Sequence, residues 1–392
     1  MPDVQTVTTT HFPASRARRA RRTAVIGFVR DQGVTTQTEL CTVLDMNPAT
    51  AMRIISDLVA EGFVAQDGYV KSAGGRPRAR LRFVGSRHAI IGVEASGTGF
   101  TGAVTNLDGL IQTEMWVTSA KTGPENLALL IQLITDLMAV ARPEGQTIVG
   151  IGVGVPSIVR KPQGEVVLTL GLDWRELPLQ ALLTQHFGLR VIVENDRNLA
   201  ALGEWGFGIG RGAQSVVSLA IVPGAGAGIV VDGQLVRGRS NASGEISWFL
   251  DDPTLAGRRF ERLGDKDQLR YSGIVDGVAQ RLGLLAAGFA EQTTSLSDLF
   301  TADPADPYDD VRELLDFTTM AVASLSAILN PEMIVLNGGI TQGGDLVLEV
   351  LRQRLAGNVF EVPTLALTKL GSKDIVYGAI RIVLEETILK PE

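Results

Sequence analysis

The fold is decided by the stretch Val193-Glu194-Asn195-Asp196-Arg197-Asn198. An apolar, β-like run over 189–193 precedes it, and a helical run over 199–205 follows it. An Asn-Asp pair at such a strand-to-helix turn presents an amide and an acceptor carboxylate to a polyhydroxylated ligand. The same aspartate can act as general base for a sugar hydroxyl. The stretch therefore predicts an α/β protein with a site for a hydroxylated small molecule.

The composition is that of an ordinary globular protein. The chain has 392 residues, of which 45% are hydrophobic and 20% charged, and this length allows two or three domains. Because no apolar run reaches the roughly 20 residues of a membrane helix, and the N-terminus has no secretory pattern, we expect a cytoplasmic location. The single cysteine, Cys41, argues against a disulfide framework and against a cysteine zinc site.

Charge divides the chain into a basic head and an acidic body. Residues 1–85 carry a net charge of +5 and the remainder −12, for a total of −7. A basic head on an acidic body favours contact between the head and a polyanion. The alternative is a solvated basic tail.

The head has the sequence pattern of a winged helix-turn-helix, over residues 16–85, after a polar tail at 1–15 that we expect to be disordered. A first helical stripe ends near Asp31. Thr36-Gln37-Thr38-Glu39 is a capping box that begins a second helix, and Asn47-Pro48 begins a third. A hairpin around Asp67-Gly68 is predicted to form the wing.

The third helix is predicted to enter the DNA major groove, where its outward residues would read base edges. Arg53 is the best candidate for a bidentate contact with guanine. The alternative is a winged helix that binds proteins, and the acidic Asp57 counts mildly against close DNA contact. The predicted DNA contacts are Thr50, Met52, Arg53 and Ser56 on the helix, and Arg76 and Arg78 at the wing.

The body repeats one order of elements, βββαβα. Because both halves show this order, they predict duplicated lobes, 89–203 and 204–392, with a cleft between them. A last helix over 372–388 is expected to pack back on one lobe. The predicted strands are 88–94, 100–105, 110–117 and 147–153, then 216–222, 226–231, 234–238 and 333–336; the predicted helices are 124–141, 271–291 and 308–329.

In this order, the motifs resemble those of the ROK family of sugar kinases and sugar-responsive repressors. The resemblance covers nearly the whole chain. It implies a winged helix followed by a two-lobed actin-like ATPase/sugar kinase fold, assembled as a homodimer or homotetramer. The motifs are the winged helix, the wing Gly74-Gly75-Arg76-Pro77, Glu194-Asn195-Asp196, the Gly-rich meander, Gly244-Glu245, and the run from Asn330 to Gly339.

Both phosphate loops depart from the family pattern. The first, Asp-x-Gly-Gly-Thr in the family, is Glu94-Ala95-Ser96-Gly97-Thr98, and the Ser96 side chain crowds backbone that must approach a phosphate. The second, Gly-Thr-Gly-x-Gly, is Val222-Pro223-Gly224-Ala225-Gly226, where Pro223 removes a hydroxyl and an N–H. We interpret both loops as vestigial and expect no kinase activity. The alternative for the second loop is a tight turn that needs positive φ.

The sugar side is altered as well. Trp248 stands where the family motif Gly-Glu-x-Gly-His has its His, and residues 249–268 contain no Cys or His, so neither zinc nor another cofactor is expected. The resemblance leaves Asn195, Asp196 and Glu245 to hold hydroxyl groups. Trp248 could stack on a sugar ring. Ser157, which replaces a family glycine, is a candidate for the cleft wall.

Each of these residues also has a purely structural interpretation. Asp196 could cap a helix, Glu245 could accept backbone hydrogen bonds, and Trp248 could pack in the core. The resemblance as a whole implies a DNA-binding regulator, most simply a repressor, with a sugar-like effector between the lobes. The alternatives are an ATP-dependent sugar kinase and an interaction scaffold without a ligand.

Overall fold

The computed structural model describes residues 14–70, 77–107, 109–141, 145–169, 171–222, 225–246 and 309–389. Some of the predicted features fall outside the described residues. They are the tail up to residue 13, the helix at 271–291, and residues Arg76, Pro223, Gly224 and Trp248. The first helix begins at Ala14, so the last two residues of the predicted tail are helical.

The described residues of the head form three helices and a three-stranded antiparallel sheet, with the strand order β1-β3-β2. The capping box is present, since the Thr36 side chain accepts from the backbone N–H of Glu39 and the Glu39 carboxylate accepts from that of Thr36. Asn47 caps the third helix, with Pro48 at its first position. The elements are α1 (Ala14–Gln32), β1 (Val34–Thr36), α2 (Gln37–Val43), α3 (Pro48–Ala60), β2 (Val64–Val70) and β3 (Arg78–Phe83).

The wing differs from its prediction. The chain does not reverse at Asp67-Gly68, because β2 continues to Val70 and pairs with β3 on either side of an irregularity between Gln66 and Tyr69. Gly68 has a φ of +78° within this strand, as in a bulge. Strands β2 and β3 are antiparallel, and the Gly-Gly-Arg-Pro motif lies in the sequence between them. The apolar residues of β3 explain the choice, since Leu81 and Phe83 are buried when β3 pairs with β2.

The first lobe is built on a five-stranded sheet with the order β11-β7-β4-β5-β6. Strands β4, β7 and β11 are parallel, whereas β5 and β6 continue from β4 as an antiparallel meander. Helix α4 packs on this sheet through Leu130, Ile134 and Leu137, all fully buried. The elements are β4 (His88–Ser96), β5 (Gly99–Asn106), β6 (Ile111–Thr118), α4 (Gly123–Ala141), β7 (Thr147–Val155) and, after the insertion described next, β11 (Val191–Asn195).

A small antiparallel sheet is inserted between β7 and β11, with the order β10-β9-β8. Its elements are β8 (Val159–Arg160), β9 (Glu165–Thr169), β10 (Trp174–Leu177) and the following helix α5 (Leu179–Phe187). Among the described residues, α4 has the length and apolar composition of a membrane span, contrary to our sequence expectation. Its buried face on the first-lobe sheet is that of a core helix.

The second lobe repeats the first. In the described part of this lobe, five strands form a sheet with the order β14-β13-β12-β15-β16, in which an antiparallel meander again continues into parallel strands. This agreement confirms the predicted duplication. Helix α6 (Asp196–Gly206) spans the predicted lobe boundary at residue 203 and packs on this sheet. The other elements are β12 (Ser215–Ile221), β13 (Gly226–Val231), β14 (Gln234–Leu235), α7 (Asp309–Leu329), β15 (Met333–Gly338), α8 (Gly344–Leu355) and β16 (Thr364–Leu367).

The last helix, α9 (Asp374–Val383), packs on the sheet of the first lobe and on α6. Its backbone lies so close to the sheet that a Cβ at Gly92 would stand 2.7 Å from the Val376 carbonyl oxygen, and one at Gly152 2.2 Å from that of Ala379. A π-helical turn, Leu384–Leu389, follows α9 and contacts α1 of the head. The C-terminal segment therefore touches the first lobe, α6 and the head.

Candidate functional site

Asn195 and Asp196 lie at the junction between β11 and α6, where the sequence placed them. Asn195 is the helix cap: its Oδ1 accepts from the backbone N–H of Arg197 at 2.9 Å and of Asn198 at 3.1 Å. Its Nδ2 donates to the Ser157 carbonyl oxygen at 3.1 Å. The structure thus gives the capping role, which we had considered for Asp196, to Asn195. Asp196 occupies the first helical position instead.

Asp196 is 6% exposed, and among the described residues Arg197 is the cation that pairs with its carboxylate. Its Oδ1 accepts from the Arg197 backbone N–H at 2.8 Å, and its Oδ2 lies 3.5 Å from Arg197 Nη2. Burial raises its pKa, whereas Arg197 acts in the opposite direction. A buried carboxyl with a raised pKa can accept or donate a proton at a hydroxyl group, which suits hydrogen bonding to a sugar.

Three further carboxyl groups share the electrostatic field of Asp196 and Arg197. Burial raises the pKa of Glu94 to about 7, and Asp374 and Asp196 add to this rise. Burial raises the pKa of Asp374 to about 6. Burial, and then Asp196, raise the pKa of Glu245, while Arg197 opposes the rise in all three cases. These groups come from β4, α6, the loop after β14 and the start of α9, so both lobes and the last helix contribute to the cluster.

Sequence reasoning missed Arg197 and Asp374 as members of this cluster. Arg197 was visible as the residue after Asp196, and a cation beside a carboxylate is a recognisable signal. Asp374 had no comparable signal, because only the packing of α9 on the first lobe brings it to Glu94. Its side chain also accepts from the Ile375 backbone N–H at 2.7 Å.

The first of the two altered loops is a closed hairpin between β4 and β5. Ser96 Oγ donates to the Gly99 carbonyl oxygen at 2.9 Å and lies 3.1 Å from Thr98 Oγ1. Ser119 Oγ donates to the Gly97 carbonyl oxygen at 2.8 Å. The hydroxyl of Ser96 thus bonds back to its own hairpin, while Gly97 and Thr98 are exposed.

Gly226 belongs to the second altered loop, for which a tight turn with positive φ was the alternative interpretation. The structure gives this glycine a different role. It lies in β13 and is not among the residues with positive φ. A Cβ there would stand 3.0 Å from Arg197 Cγ, and one at Gly228 would stand 2.0 Å from the Arg197 carbonyl oxygen. Gly228 is therefore needed because the backbone of α6 crosses β13 closely, whereas a Cβ at Gly226 would press on the Arg197 side chain. The turn interpretation is wrong for Gly226.

Ser157 has a complete set of local bonds. Its Oγ donates to the Ile158 carbonyl oxygen at 3.0 Å and accepts from the Leu168 N–H at 3.1 Å. Its carbonyl oxygen holds the Asn195 amide, as described above. Ser157 therefore shapes the turn beside the cap, and its hydroxyl does not need a ligand.

Glu245 follows a glycine in the left-handed region. Gly244 has a φ of +85°, and its carbonyl oxygen accepts from the Ala227 N–H at 2.8 Å. A Cβ at Gly244 would stand 1.8 Å from the Ala227 carbonyl oxygen, so only glycine allows this approach. The result is that Glu245 is fixed beside β13, within the field of Asp196.

The outward face of α3 carries the side chains that we predicted for DNA. Met52 is 58% exposed, Arg53 and Ser56 are exposed, and Thr50 is half-buried. The opposite face is buried in the head through Ala51, Ile54, Ile55 and Leu58. Arg78 is exposed at the start of β3. The outward face of this helix therefore combines the cationic Arg53 with the polar Ser56 and the apolar Met52.

Fold and site together define a class of protein, a duplicated two-lobed α/β protein of the sugar-kinase type with an added head. The model of the ROK family matches residues 90–255. A glucokinase structure from Streptomyces griseus, with glucose and AMPPNP, is similar with a TM-score of 0.56 at 26% identity, over 75% of this chain and 98% of that chain. The chain therefore contains a ROK family domain.

Within the family, the similarity to repressors extends over more of the chain. The xylose repressor of Caldicellulosiruptor bescii is 28% identical over 96% of this chain and 98% of its own length. The glucokinase of Streptomyces coelicolor is 28% identical over 75% of this chain and 97% of its own length. The structure of a ROK family transcriptional regulator, a homologue of the E. coli MLC protein, has a TM-score of 0.76 at 22% identity, over 95% of this chain and 98% of that chain.

Proposed function

We propose that this chain is a ROK-type transcriptional repressor that binds operator DNA through α3 and the wing, and that a sugar-like effector between the lobes modulates this binding. The observation that carries the proposal is the match to a xylose repressor over nearly the whole chain, which a match to the body alone would not produce. The exposed Arg53 surface supports the DNA half of the proposal. We further propose that it acts in the cytoplasm as a homodimer or homotetramer.

The effector half is supported by the cluster around Asp196. Asp196 and Glu245 supply acceptors for hydroxyl groups, Asn195 orders the turn, and Trp248 is proposed to cover a sugar ring. A ligand can shift the repressor only if it binds one state better than the other. The groups of this site come from both lobes and from α9. A movement of the lobes therefore changes the spacing of the carboxylates, and with it the affinity for the ligand.

The test of the effector site compares Asp196→Asn with the wild type. Operator fragments are first selected from genomic DNA, and their affinity is then measured by fluorescence anisotropy with D-xylose, D-glucose and the corresponding sugar phosphates. The variant should bind the operator as the wild type does, yet lose the change caused by the active sugar. Asp136→Asn, an exposed change on α4, is the control and should respond fully.

The test of the DNA surface uses Arg53→Ala at fixed salt. Loss of a bidentate base contact should cost about 1–3 kcal/mol on the operator and relax sequence choice. Arg211→Ala removes an exposed cation from the body and should change neither the operator affinity nor the sequence choice. Unchanged operator affinity in Arg53→Ala would contradict the placement of α3 in the groove.

A sugar kinase is the second candidate, because the chain is similar to glucokinases over three quarters of its length and keeps a buried acid at Asp196. Against it stands Pro223, which removes a phosphate donor from the second loop. An assay of ADP release with ATP and a panel of hexoses decides between the two. Turnover that Asp196→Asn abolishes would establish the kinase.

A further inference from the structure

Glu194 is a buried carboxylate that makes no contact with solvent, at 0% exposure. It lies on β11, one residue before the helix cap. Its Oε1 accepts from the Asn195 backbone N–H at 3.0 Å and from Asn198 Nδ2 at 3.1 Å. Glu194 therefore stabilises the turn that bears Asp196 from its buried side. Its carboxylate is too deeply buried to contact a ligand.

The second oxygen of Glu194 binds a cation from the other lobe. Arg237, which follows β14, donates from Nε to Glu194 Oε2 at 2.8 Å. Lys161 Nζ lies 3.6 Å from the same oxygen and donates to the Val193 carbonyl oxygen at 2.8 Å. Burial favours the neutral carboxyl, but Lys161 and Arg237 outweigh it and hold the pKa of Glu194 below its usual range.

A second bond links the same two parts of the chain. Asn241, with a φ of +59°, donates from Nδ2 to the Val159 carbonyl oxygen at 2.8 Å. Three residues later the chain returns to the second-lobe sheet, where Gly244 accepts from the Ala227 N–H. The segment 237–245 is thus bonded to both lobes, and it ends at Glu245.

We propose that Glu194 and Arg237 form an inter-lobe clasp that positions Asp196 and Glu245 opposite each other. The clasp consists of the Glu194–Arg237 pair and the Asn241–Val159 bond, and Lys161 supports Glu194 from within the first lobe. Glu194 and Arg237 are positioning residues, because the buried carboxylate acts on the ligand only through Asn195 and Asn198, and Arg237 only through the loop that bears Glu245. A charge-assisted bond inside the protein suits this role, since it is short, directional and costly to leave unpaired. The inference rests on the proposed effector site.

The first test needs no ligand. Hydrogen exchange of the backbone amides at 195–198 and 241–246 is compared in the full-length wild type, Arg237→Ala, Arg237→Lys and Arg239→Ala. Exchange should become at least tenfold faster in Arg237→Ala and be largely restored by Arg237→Lys, which keeps a charged donor. Arg239→Ala, an exposed change on the same segment, should resemble the wild type. Wild-type exchange in Arg237→Ala would overturn the clasp.

The second test separates positioning from general stability. In the operator assay, Arg237→Ala should need at least ten times more D-xylose or D-glucose for half-maximal response, while its operator affinity without sugar stays unchanged. Glu194→Gln, which keeps the shape of the side chain, should behave alike and serves if Arg237→Ala does not fold. An unaltered sugar response in both variants refutes the clasp. A wild type that ignores every sugar refutes the effector site, and the exchange result still decides whether Arg237 orders the turn.

Discussion

At the scale of single residues, Glu94 combines burial with two neighbouring carboxylates. Its pKa is about 7 in the folded protein, against 4.5 for a free glutamate. The folded state therefore holds more protons than the unfolded state between these two pH values, and its stability falls as pH rises through this window. Below about pH 4.5 and above about pH 7, Glu94 adds no further change.

Glu94→Gln should remove the loss of folding stability that the wild type shows as pH rises. The free energy of unfolding of the variant minus that of the wild type should increase from pH 4.5 to pH 7, by at most about 1.4 kcal/mol per pH unit. Urea unfolding across this range measures the difference. Glu361→Gln removes an exposed carboxylate and should leave the pH dependence of the wild type intact. A constant difference for Glu94→Gln would contradict the raised pKa of Glu94, and with it the effect of burial and of the neighbouring carboxylates.

Residues with local partners could be predicted from the sequence, and residues with distant partners could not. The capping box of Thr36 and Glu39 needs only three residues of helix geometry, so the sequence predicts it correctly. The neighbourhood of Glu94 depends on Asp374, which lies far along the chain and arrives only when α9 packs. For the same reason the two cationic partners of Glu194, Lys161 and Arg237, were not predicted.

At the scale of elements, the crossing of α6 and α9 depends on two glycines. A Cβ at Gly378 would stand 1.8 Å from the Leu199 carbonyl oxygen, and one at Gly203 would stand 2.1 Å from that of Asp374. Both clashes are with backbone, which cannot rotate away as a side chain can. This crossing holds Asp374 at the carboxylate cluster, so the glycines serve the site as well as the fold.

Gly378→Ala should therefore destabilise the protein, although alanine is the better helix former. Overpacking of this kind costs about 1–3 kcal/mol or more, because two helices must separate. The control is Gly27→Ala in α1, where no atom lies within 4 Å of the added Cβ. That change should be neutral or stabilise by up to about 1 kcal/mol. Thermal unfolding of both variants measures the contrast, and equal melting temperatures would contradict the close crossing.

The wing shows how element-scale prediction can fail. Asp67-Gly68 is the strongest short-range hairpin signal in the head, and a local interpretation placed the turn there. The first part of β2 pairs instead with β3, where Leu81 and Phe83 are buried, and β2 continues past Gly68, which it accommodates as an irregularity. By contrast, the duplicated order of strands was predicted correctly, because each apolar run is long enough to indicate its strand without knowledge of its neighbours.

At the scale of the whole molecule, the head and the body share one hydrophobic core. Buried residues of the head, such as Val25 and Leu58, belong to the same cluster as Ile380 and Val383 of α9. At the junction, Phe63 stacks on His88 with ring centroids 4.3 Å apart. A continuous core makes the two parts unfold together, and it provides contacts through which α9, which starts at Asp374, could bias the head.

Leu58→Ala tests this continuity. Leu58 is fully buried in the head, so its truncation should cost about 2–5 kcal/mol. All four tryptophans, Trp116, Trp174, Trp205 and Trp248, lie in the body, so their fluorescence reports body unfolding alone. If the core is shared, Leu58→Ala should lower the midpoint of the tryptophan transition together with that of far-ultraviolet circular dichroism. Val43→Ala, at a position 65% exposed in the head, should shift neither midpoint. A tryptophan transition that keeps its wild-type midpoint while helical signal is lost earlier would show that the head melts on its own, and the cluster around Asp374 could then not reach α3 through the core.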